Sequence, residues 1–287
     1  MATGNGWVRY WRDPTRPVEA MHAHFFDHVY APHAHDGYSF GITDLGAQRF
    51  RCRGAHHTSG AGMVMAFNPD EVHDGRAAAE AGYRYRIIHI GTSVVSDVLA
   101  DAAGATDGRA AAPPFFVRPV LTDPVLTDAL ARLHASLVGP SDELAREERL
   151  AAAVLAMAVR GATRAPRGRA LTDGGRRRAA RRARALLDEA YAEPLSAGDL
   201  AEAAGCSRYA VYRAFRTEFG LSPSEYQRLL RLRRARGLLA AGVPPADAAE
   251  TAGFADQAHF GRWFKRAYGI TPGVYRRAVL RGTAADG

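Results

Sequence analysis

The sequence predicts an α+β protein of two domains: a β-barrel followed by helices, then an all-α domain with two helix-turn-helix units joined by a long helix. Three observations carry that reading. One segment of the last hundred residues occurs twice in the same register, the first half alternates at period two, and the excess positive charge is confined to the part that holds the repeat. At 287 residues, the chain has room for two domains.

Taking the elements in order, short strand-like segments alternate with turn residues from about Ala20 to Thr92. AQRFRCR sets Gln48, Phe50 and Cys52 on one face and Arg49, Arg51 and Arg53 on the other. YRYRIIHI sets Tyr83, Tyr85, Ile87 and His89 against Arg84 and Arg86. Both are patterns of half-buried strands. Turns are expected at Asp44 to Gly46, Gly60 to Gly62 and Asn68-Pro69. Strands this short and this closely spaced indicate a small barrel or sandwich over about 20–112. Asp123 to Val138 and Ser141 to Gly161 read as amphipathic helices, a helical stretch of about 123–161 that ends a first domain of 1–163. The stretch ATRAPRGRALTDGG from Ala162 to Gly175, rich in Gly, Pro and charge, holds a linker read as 164–175.

The second domain, 176–287, opens on RRRAARRAR, a helix with an arginine face. Ser196 is an N-cap residue with Asp199 three positions on, a near capping box. Gly205 permits a sharp turn, and Ser207 caps a second helix whose Val211, Phe215 and Phe219 face inward. Two short helices around a glycine turn, about 196–219, read as a helix-turn-helix. EYQRLLRLRRARGLLAAG follows as a joining helix, about 223–241, stopped near Gly242. The design returns at about 245–268: Pro245 suits a first helical position, Gly253 the turn, Asp256 the next cap. Arg213, Phe215, Phe219, Gly220, Leu221, Ser222, Pro223, Tyr226 and Arg228 are answered, always at the same separation, by Arg262, Phe264, Tyr268, Gly269, Ile270, Thr271, Pro272, Tyr275 and Arg277. A joining helix of roughly 25 Å, at about 1.5 Å per residue, suits two reading helices in successive major grooves about 34 Å apart.

In a helix-turn-helix the N-terminal half of the second helix enters the groove. The outward positions are Arg208, Tyr209, Tyr212 and Arg213 in the first unit and Gln257, Ala258, His259 and Arg262 in the second, with Arg213 and Arg262 equivalent. Arg216, Lys265 and Arg266 lie later on the same helices and are expected at phosphates or water. Charge agrees. Arg176 to Gly287 carries 20 basic and 11 acidic residues, a net of +9, while Met1 to Gly175 nets −1. That asymmetry marks a polyanion-binding half. No apolar stretch is long enough to span a membrane, and the N-terminus has no signal-peptide core. Cys52 and Cys206 read as reduced thiols, so a cytoplasmic protein is expected.

At this point the residues resemble a known family. Leu195 to Arg277, above all GFADQAHFGRWFKRAYGITPGVYRR, closely resembles the C-terminal domain of AraC/XylS-type transcriptional regulators. More loosely, His33 to His73, with PHAHDGYSFGI and FNPDEVH, resembles the cupin-like sensor and dimerisation domain that accompanies it. The resemblance implies sequence-specific binding of double-stranded promoter DNA, a small-molecule effector, contact with RNA polymerase, a homodimer formed through the post-barrel helices, activation more often than repression, and no enzymatic activity. A pocket at the barrel mouth is expected to recruit His33, His35, Tyr38, Gln48, His73 and Tyr85. His33, His35 and His73 fall where metal-binding cupins place histidines, but the glutamate expected three or four residues after the second is replaced by Ser39 and Phe40. The expectation is therefore an organic-ligand pocket, without metal or cofactor. The competing readings are a metal-binding cupin enzyme fused to a DNA-binding domain, and a non-specific nucleoid-binding protein.

Overall fold

A computed structural model describes residues 6–104, 113–163 and 171–283. The chain divides into two compact units, Met1–Ser141 with Arg149–Arg169, and Asp142–Glu148 with Ala170–Gly287.

The first unit is a β-barrel closed by helices. Its strands are β1 (Trp7–Arg12), β2 (Val18–Phe25), β3 (Val29–His33), β4 (Tyr38–Cys52), β5 (Ala55–Gly60), β6 (Val64–Phe67), β7 (His73–Ala77), β8 (Tyr83–Ile90) and β9 (Val120–Leu121). All pairings are antiparallel. One sheet runs β1-β2-β8-β4-β6-β9, and the far half of β4 also pairs with β5 and β7, which in turn pairs with β3. The alternation read from the sequence is seen in the burial. Gln48, Phe50 and Cys52 are inside and Arg49, Arg51 and Arg53 outside. Phe50, Met65, Phe67, Tyr83, Tyr85 and Ile87 build the barrel core.

The expected turn at Asp44 to Gly46 does not form. β4 continues through it as a bulge, with the register against β8 slipping between Thr43 and Leu45. Gly46 takes a φ of +70°, and a Cβ there would lie 2.2 Å from the Gly82 carbonyl oxygen. Only glycine allows strand and crossing loop to approach this closely. An extra residue at a bulge reverses the face of everything beyond it. Tyr38, Phe40 and Ile42 therefore lie on the side opposite to Gln48, Phe50 and Cys52 of the same strand, although all six numbers are even.

Three elements of this unit escaped the sequence reading: β1 ahead of Ala20, helix α1 (Thr92–Ala103) within the span assigned to barrel, and β9 beyond that span. Helix α2 (Pro124–Val138) starts where Asp123 accepts hydrogen bonds from the Val125 and Leu126 amides. It covers the face of β8 and β4 opposite the chamber, burying Leu126, Leu130, Leu133 and Leu137. Helix α3 is Glu143–Arg160.

The second unit repeats itself in space as in sequence. Helix α4 (Asp173–Glu189) begins after Thr172, inside the stretch expected as linker; the rest of that stretch, 164–170, lies outside the described residues. Helices α5 (Ala197–Ala204) and α6 (Arg208–Phe219) form the first helix pair, α7 (Pro223–Ala240) follows, α8 (Pro245–Thr251) and α9 (Gln257–Tyr268) form the second pair, and α10 (Pro272–Thr283) is the last described helix. The three caps that the sequence marks all form. Ser196 and Asp199 form a complete capping box, Ser207 accepts from the Ala210 amide, and Asp256 accepts from the His259 amide. Each such cap is worth about 1 kcal/mol. Gly205 and Gly253 turn with φ of +66° and +81°.

Each pair has its own core. Leu200, Ala204, Val211, Ala214 and Phe215 pack with Ala180, Ala183 and Leu187 of α4, while Ala248, Ala249, Phe260 and Phe264 pack with Leu232, Ala235 and Leu239 of α7. The repeated aromatics make the same cluster twice: Phe215 meets Phe219 and Tyr226 with centroids 4.7 and 5.5 Å apart, and Phe264 meets Tyr268 and Tyr275 at 4.6 and 5.7 Å.

Acids from the start of α3 belong to this unit, where the sequence reading had placed them in the first domain. Glu147 accepts from the Ala197 amide at the head of α5, and buried Glu148 accepts from the amide (2.9 Å) and hydroxyl (2.5 Å) of Ser224 at the head of α7. A carboxylate at a helix N-terminus meets unpaired amides and the positive end of the dipole. Burial nevertheless pushes the Glu148 carboxyl up to about 7, against the lowering pull of Ser224. On α7 the guanidinium of Arg231, 4% exposed, donates to the carbonyls of Tyr191 and Glu193 and to Asp142. This arginine is structural, and the sequence reading of the joining helix gave it no role.

Candidate functional site

Two sets of residues answer to the functional expectations, one in each unit. The first is the pair of second helices, α6 and α9. Arg208, Arg213 and Arg216 are exposed on α6, and Gln257, Ala258, Arg262, Lys265 and Arg266 are exposed on α9. The burial of Val211, Ala214 and Phe215 on one helix, and of Phe260 and Phe264 on the other, turns these side chains outward. The two tyrosines are half-buried and carry arginines. The Arg213 guanidinium lies 5.6 Å from the Tyr209 ring, and Arg216 donates to the Tyr212 hydroxyl at 3.0 Å. Such contacts hold a charged fork in a defined direction.

His259 requires a correction. The sequence reading placed it among the outward base-contacting positions, but it is only 3% exposed. Its Nε2 accepts a hydrogen bond from the Trp263 indole at 2.8 Å, and its ring lies edge-on to Phe254 at 6.0 Å. Burial lowers its pKa, leaving a neutral imidazole. The reason lies in the turn. The second unit's turn is one residue longer, and Phe254 projects from it into the core, drawing the position after Ala258 inward.

A residue the sequence overlooked also belongs here. Arg228 of α7 places its guanidinium 3.8 Å from the Trp263 ring centroid, with Arg266 on the same ring at 5.5 Å. The spacing of Trp263 one residue after Arg262 was the available signal.

The second set lines a chamber of about 280 Å³ inside the barrel, walled by Met21, Phe50, Met65, Phe67 and Ile87 and carrying polar groups from several strands. Five of the six expected pocket residues line it: His33, His35, Gln48, His73 and Tyr85. Tyr38 does not. It lies before the bulge on the opposite face, where its hydroxyl donates to the Pro114 carbonyl at 2.9 Å and its ring meets Phe116. In its place are Tyr30, whose hydroxyl bonds that of Tyr85 at 2.9 Å, and His89, held by the Ser39 hydroxyl at 2.8 Å. His89 stands on the period-two face already read for Tyr85 and Ile87, so parity alone could have found it. Glu19 and Asp74 lie at the wall, engaged by Arg12 and by the Arg51 amide respectively.

The chamber's electrostatics follow from burial. His35, His73 and His89 are each pushed down to about 4, first by desolvation and then by neighbouring imidazoles. All three are neutral at pH 7. Burial, with the bond to Tyr30, drives the Tyr85 hydroxyl upward and keeps it protonated. The chamber therefore offers neutral donors and acceptors set in apolar walls, the usual character of a small-molecule site.

Known protein families match long stretches of the chain. The family profile of the AraC-like ligand binding domain matches residues 17–154, and that of a helix-turn-helix domain matches 200–278. YbfI of Bacillus subtilis, an uncharacterized HTH-type transcriptional regulator, is 28% identical over 247 residues, 86% of this chain and 87% of that one. The transcriptional activator NphR of a Rhodococcus species is 38% identical over 88 residues, 30% of this chain and 26% of that one. Among solved structures, an AraC-type DNA-binding domain-containing regulator from Chromobacterium violaceum is 32% identical, over 37% of this chain and 95% of that one, with a TM-score of 0.34.

Proposed function

The chain belongs to the AraC-type transcriptional regulators, with a ligand-binding domain ahead of a helix-turn-helix domain, and from that premise we propose that it reads specific promoter DNA through α6 and α9 under the control of a small effector held in the barrel chamber. We assign sensing to 1–163, DNA reading to 176–287 and the connection to 164–175. Arg213 and Arg262 take base edges, with Gln257 and Arg208 beside them; Arg216, Lys265 and Arg266 take phosphates. The carrying observation is that two independently capped helix pairs, with separate cores, each present an exposed arginine at the equivalent position.

An effector preferring one arrangement of the chain shifts the population between weak and strong binding states. His33, His35, Gln48, His73 and Tyr85, with Tyr30 and His89, recognise it. We read the output as activation, which the name of the similar activator NphR supports, exerted through contact with RNA polymerase by a cytoplasmic homodimer without catalytic activity. No helix among the described residues is long and apolar enough to cross a membrane.

The test is genomic footprinting followed by binding titrations at fixed salt on recovered sites and on random duplex. Specific sites should bind about 10³-fold or more tightly than random DNA. Equal affinity for both would assign the protein to non-specific nucleoid binding instead.

A further inference from the structure

The repeat reaches one helix further back than the two helix pairs. Arg181-Arg182-Ala183-Arg184 of α4 is answered by Arg233-Arg234-Ala235-Arg236 of α7, with Ala180, Ala183 and Leu187 buried on one helix and Leu232, Ala235 and Leu239 on the other. In that register Arg176 corresponds to Arg228, while Ala214 corresponds to Trp263 in the helix pairs. The two arginines differ in their surroundings. Arg176 donates to Asp173 at 2.7 Å, one turn back in its own helix. Arg228 reaches across to α9 and lies over the Trp263 ring, 3.8 Å from its centroid, and a second guanidinium, Arg266, approaches the same ring at 5.5 Å. The indole is itself anchored, since its Nε1 donates to the buried His259.

Two guanidinium charges gathered at one ring repel each other. The face of an indole attracts a cation, and an anion shared by both forks relieves the remaining repulsion. A guanidinium lying over a ring keeps the N–H donors of its edge for a further acceptor. The nearby acids already have partners: Asp256 accepts from the His259 amide and Asp142 from Arg231. Arg266 follows Arg262 by one helical turn on the exposed side of α9. An anion reached by Arg228 and Arg266 therefore adjoins the base-reading position, and at the flank of a helix lodged in a major groove the anions are backbone phosphates.

We propose that Arg228 and Arg266, mounted on Trp263, jointly grip one backbone phosphate of the duplex beside the groove that α9 enters. This rests on the reading of α9 as a DNA-reading helix, and adds to it a ligand for Arg228 and a task for Trp263. The joining helix is then part of the DNA interface rather than a spacer alone. The grip belongs to the second unit only, because the buried Ala214 offers no ring where Trp263 stands. His259 enters it indirectly, by fixing the indole on which both arginines lie.

Full-length protein is titrated across a salt series on a duplex recovered by footprinting and on one of arbitrary sequence. Arg228→Ala should lose about tenfold in affinity for both, lower the salt slope by about 1, and keep the parent's preference between them. Arg176→Ala should bind as the parent does. The recovered duplex is then made with single neutral methylphosphonates, one backbone position at a time. One position should weaken the parent more than it weakens Arg228→Ala or Arg266→Ala, and it should be the same position for both variants. A parent-like slope for Arg228→Ala, different positions for the two variants, or an equal loss in Arg176→Ala overturns the grip. Urea melts of Arg228→Ala separate lost folding from lost binding, and a lower midpoint with an unchanged slope would make Arg228 structural only. With Trp7 and Trp11 replaced by Phe, duplex but not inorganic phosphate should shift the Trp263 emission; a saturable shift with inorganic phosphate would assign the site to a free anion instead. Failure of α9 as a reader shows separately, as parent affinity of Arg262→Ala on every duplex.

Discussion

The indole of Trp263 donates to Nε2 of His259 at 2.8 Å, one helical turn back along α9. This bond lies on the buried side of the helix, opposite the exposed side that carries Arg262, Lys265 and Arg266. It predicts that His259→Ala costs stability, about 1–3 kcal/mol for an orphaned partner and lost packing, and leaves the ranking of DNA sequences unchanged. Urea melts beside a binding-site selection check this. A changed sequence preference would return His259 to the reading face.

Arg213→Ala and Arg262→Ala should each lose about 1–3 kcal/mol of affinity for the specific site and relax specificity at one base pair. Lys265→Ala should weaken binding to all sequences alike and lower the salt slope by about 1. Titrations on single-substituted duplexes across a salt series separate the two behaviours. A uniform loss for Arg262→Ala would move that residue to the phosphates.

The two turn glycines should differ in tolerance. At Gly205, φ is +66° and the nearest atom to an added Cβ is 3.6 Å away, so Gly205→Ala should cost about 1–2 kcal/mol from the backbone alone. At Gly253 the same Cβ would lie 2.3 Å from the Ala192 carbonyl oxygen. Gly253→Ala should therefore destabilise more than Gly205→Ala, read as the midpoint of urea unfolding followed by Trp263. Equal midpoints would refute the close approach.

Acid should act oppositely on the two units. Glu148 titrates near 7 when folded, above the ordinary 4.5, so the folded form binds more protons between those values and its contribution is lost as pH rises through 7. His35, His73, His89 and His134 titrate near 4, below 6.5, so the unfolded form binds more protons and the barrel weakens as pH falls from 6.5 toward 4. His259, neutral in the second unit, pulls against Glu148 there. The Glu148 effect is accordingly read as the difference between parent and Glu148→Gln, with Trp7 and Trp11 replaced by Phe so that Trp263 reports alone. Superimposable pH curves for the two proteins would exclude a buried carboxyl.

Where the determinants are local, the sequence was legible. Ser196, Ser207 and Asp256 cap helices because a short acceptor precedes an apolar period, and Arg213 and Arg262 lie outward because Phe215 and Phe264 must lie inward. Distant contacts were not legible. Tyr38 and Gln48 share parity in number but not in space, because the bulge depends on Gly82 approaching Gly46. His259 turned inward because of Phe254 and Trp263, and Arg231 was buried by carbonyls of a loop some forty residues upstream. The chamber's His89 was visible to parity, yet its tie to Ser39 needed the pairing of β4 with β8.

The acids of α3 that seat on the DNA-reading unit bear on where the chain can be cut. A fragment begun at the linker would leave the heads of α5 and α7, and the Arg231 guanidinium, facing empty places where Glu147, Glu148 and Asp142 had stood. The smallest autonomous reader of DNA therefore has a discontinuous boundary, and expressing it intact means restoring a short acidic helix that the chain supplies from well upstream.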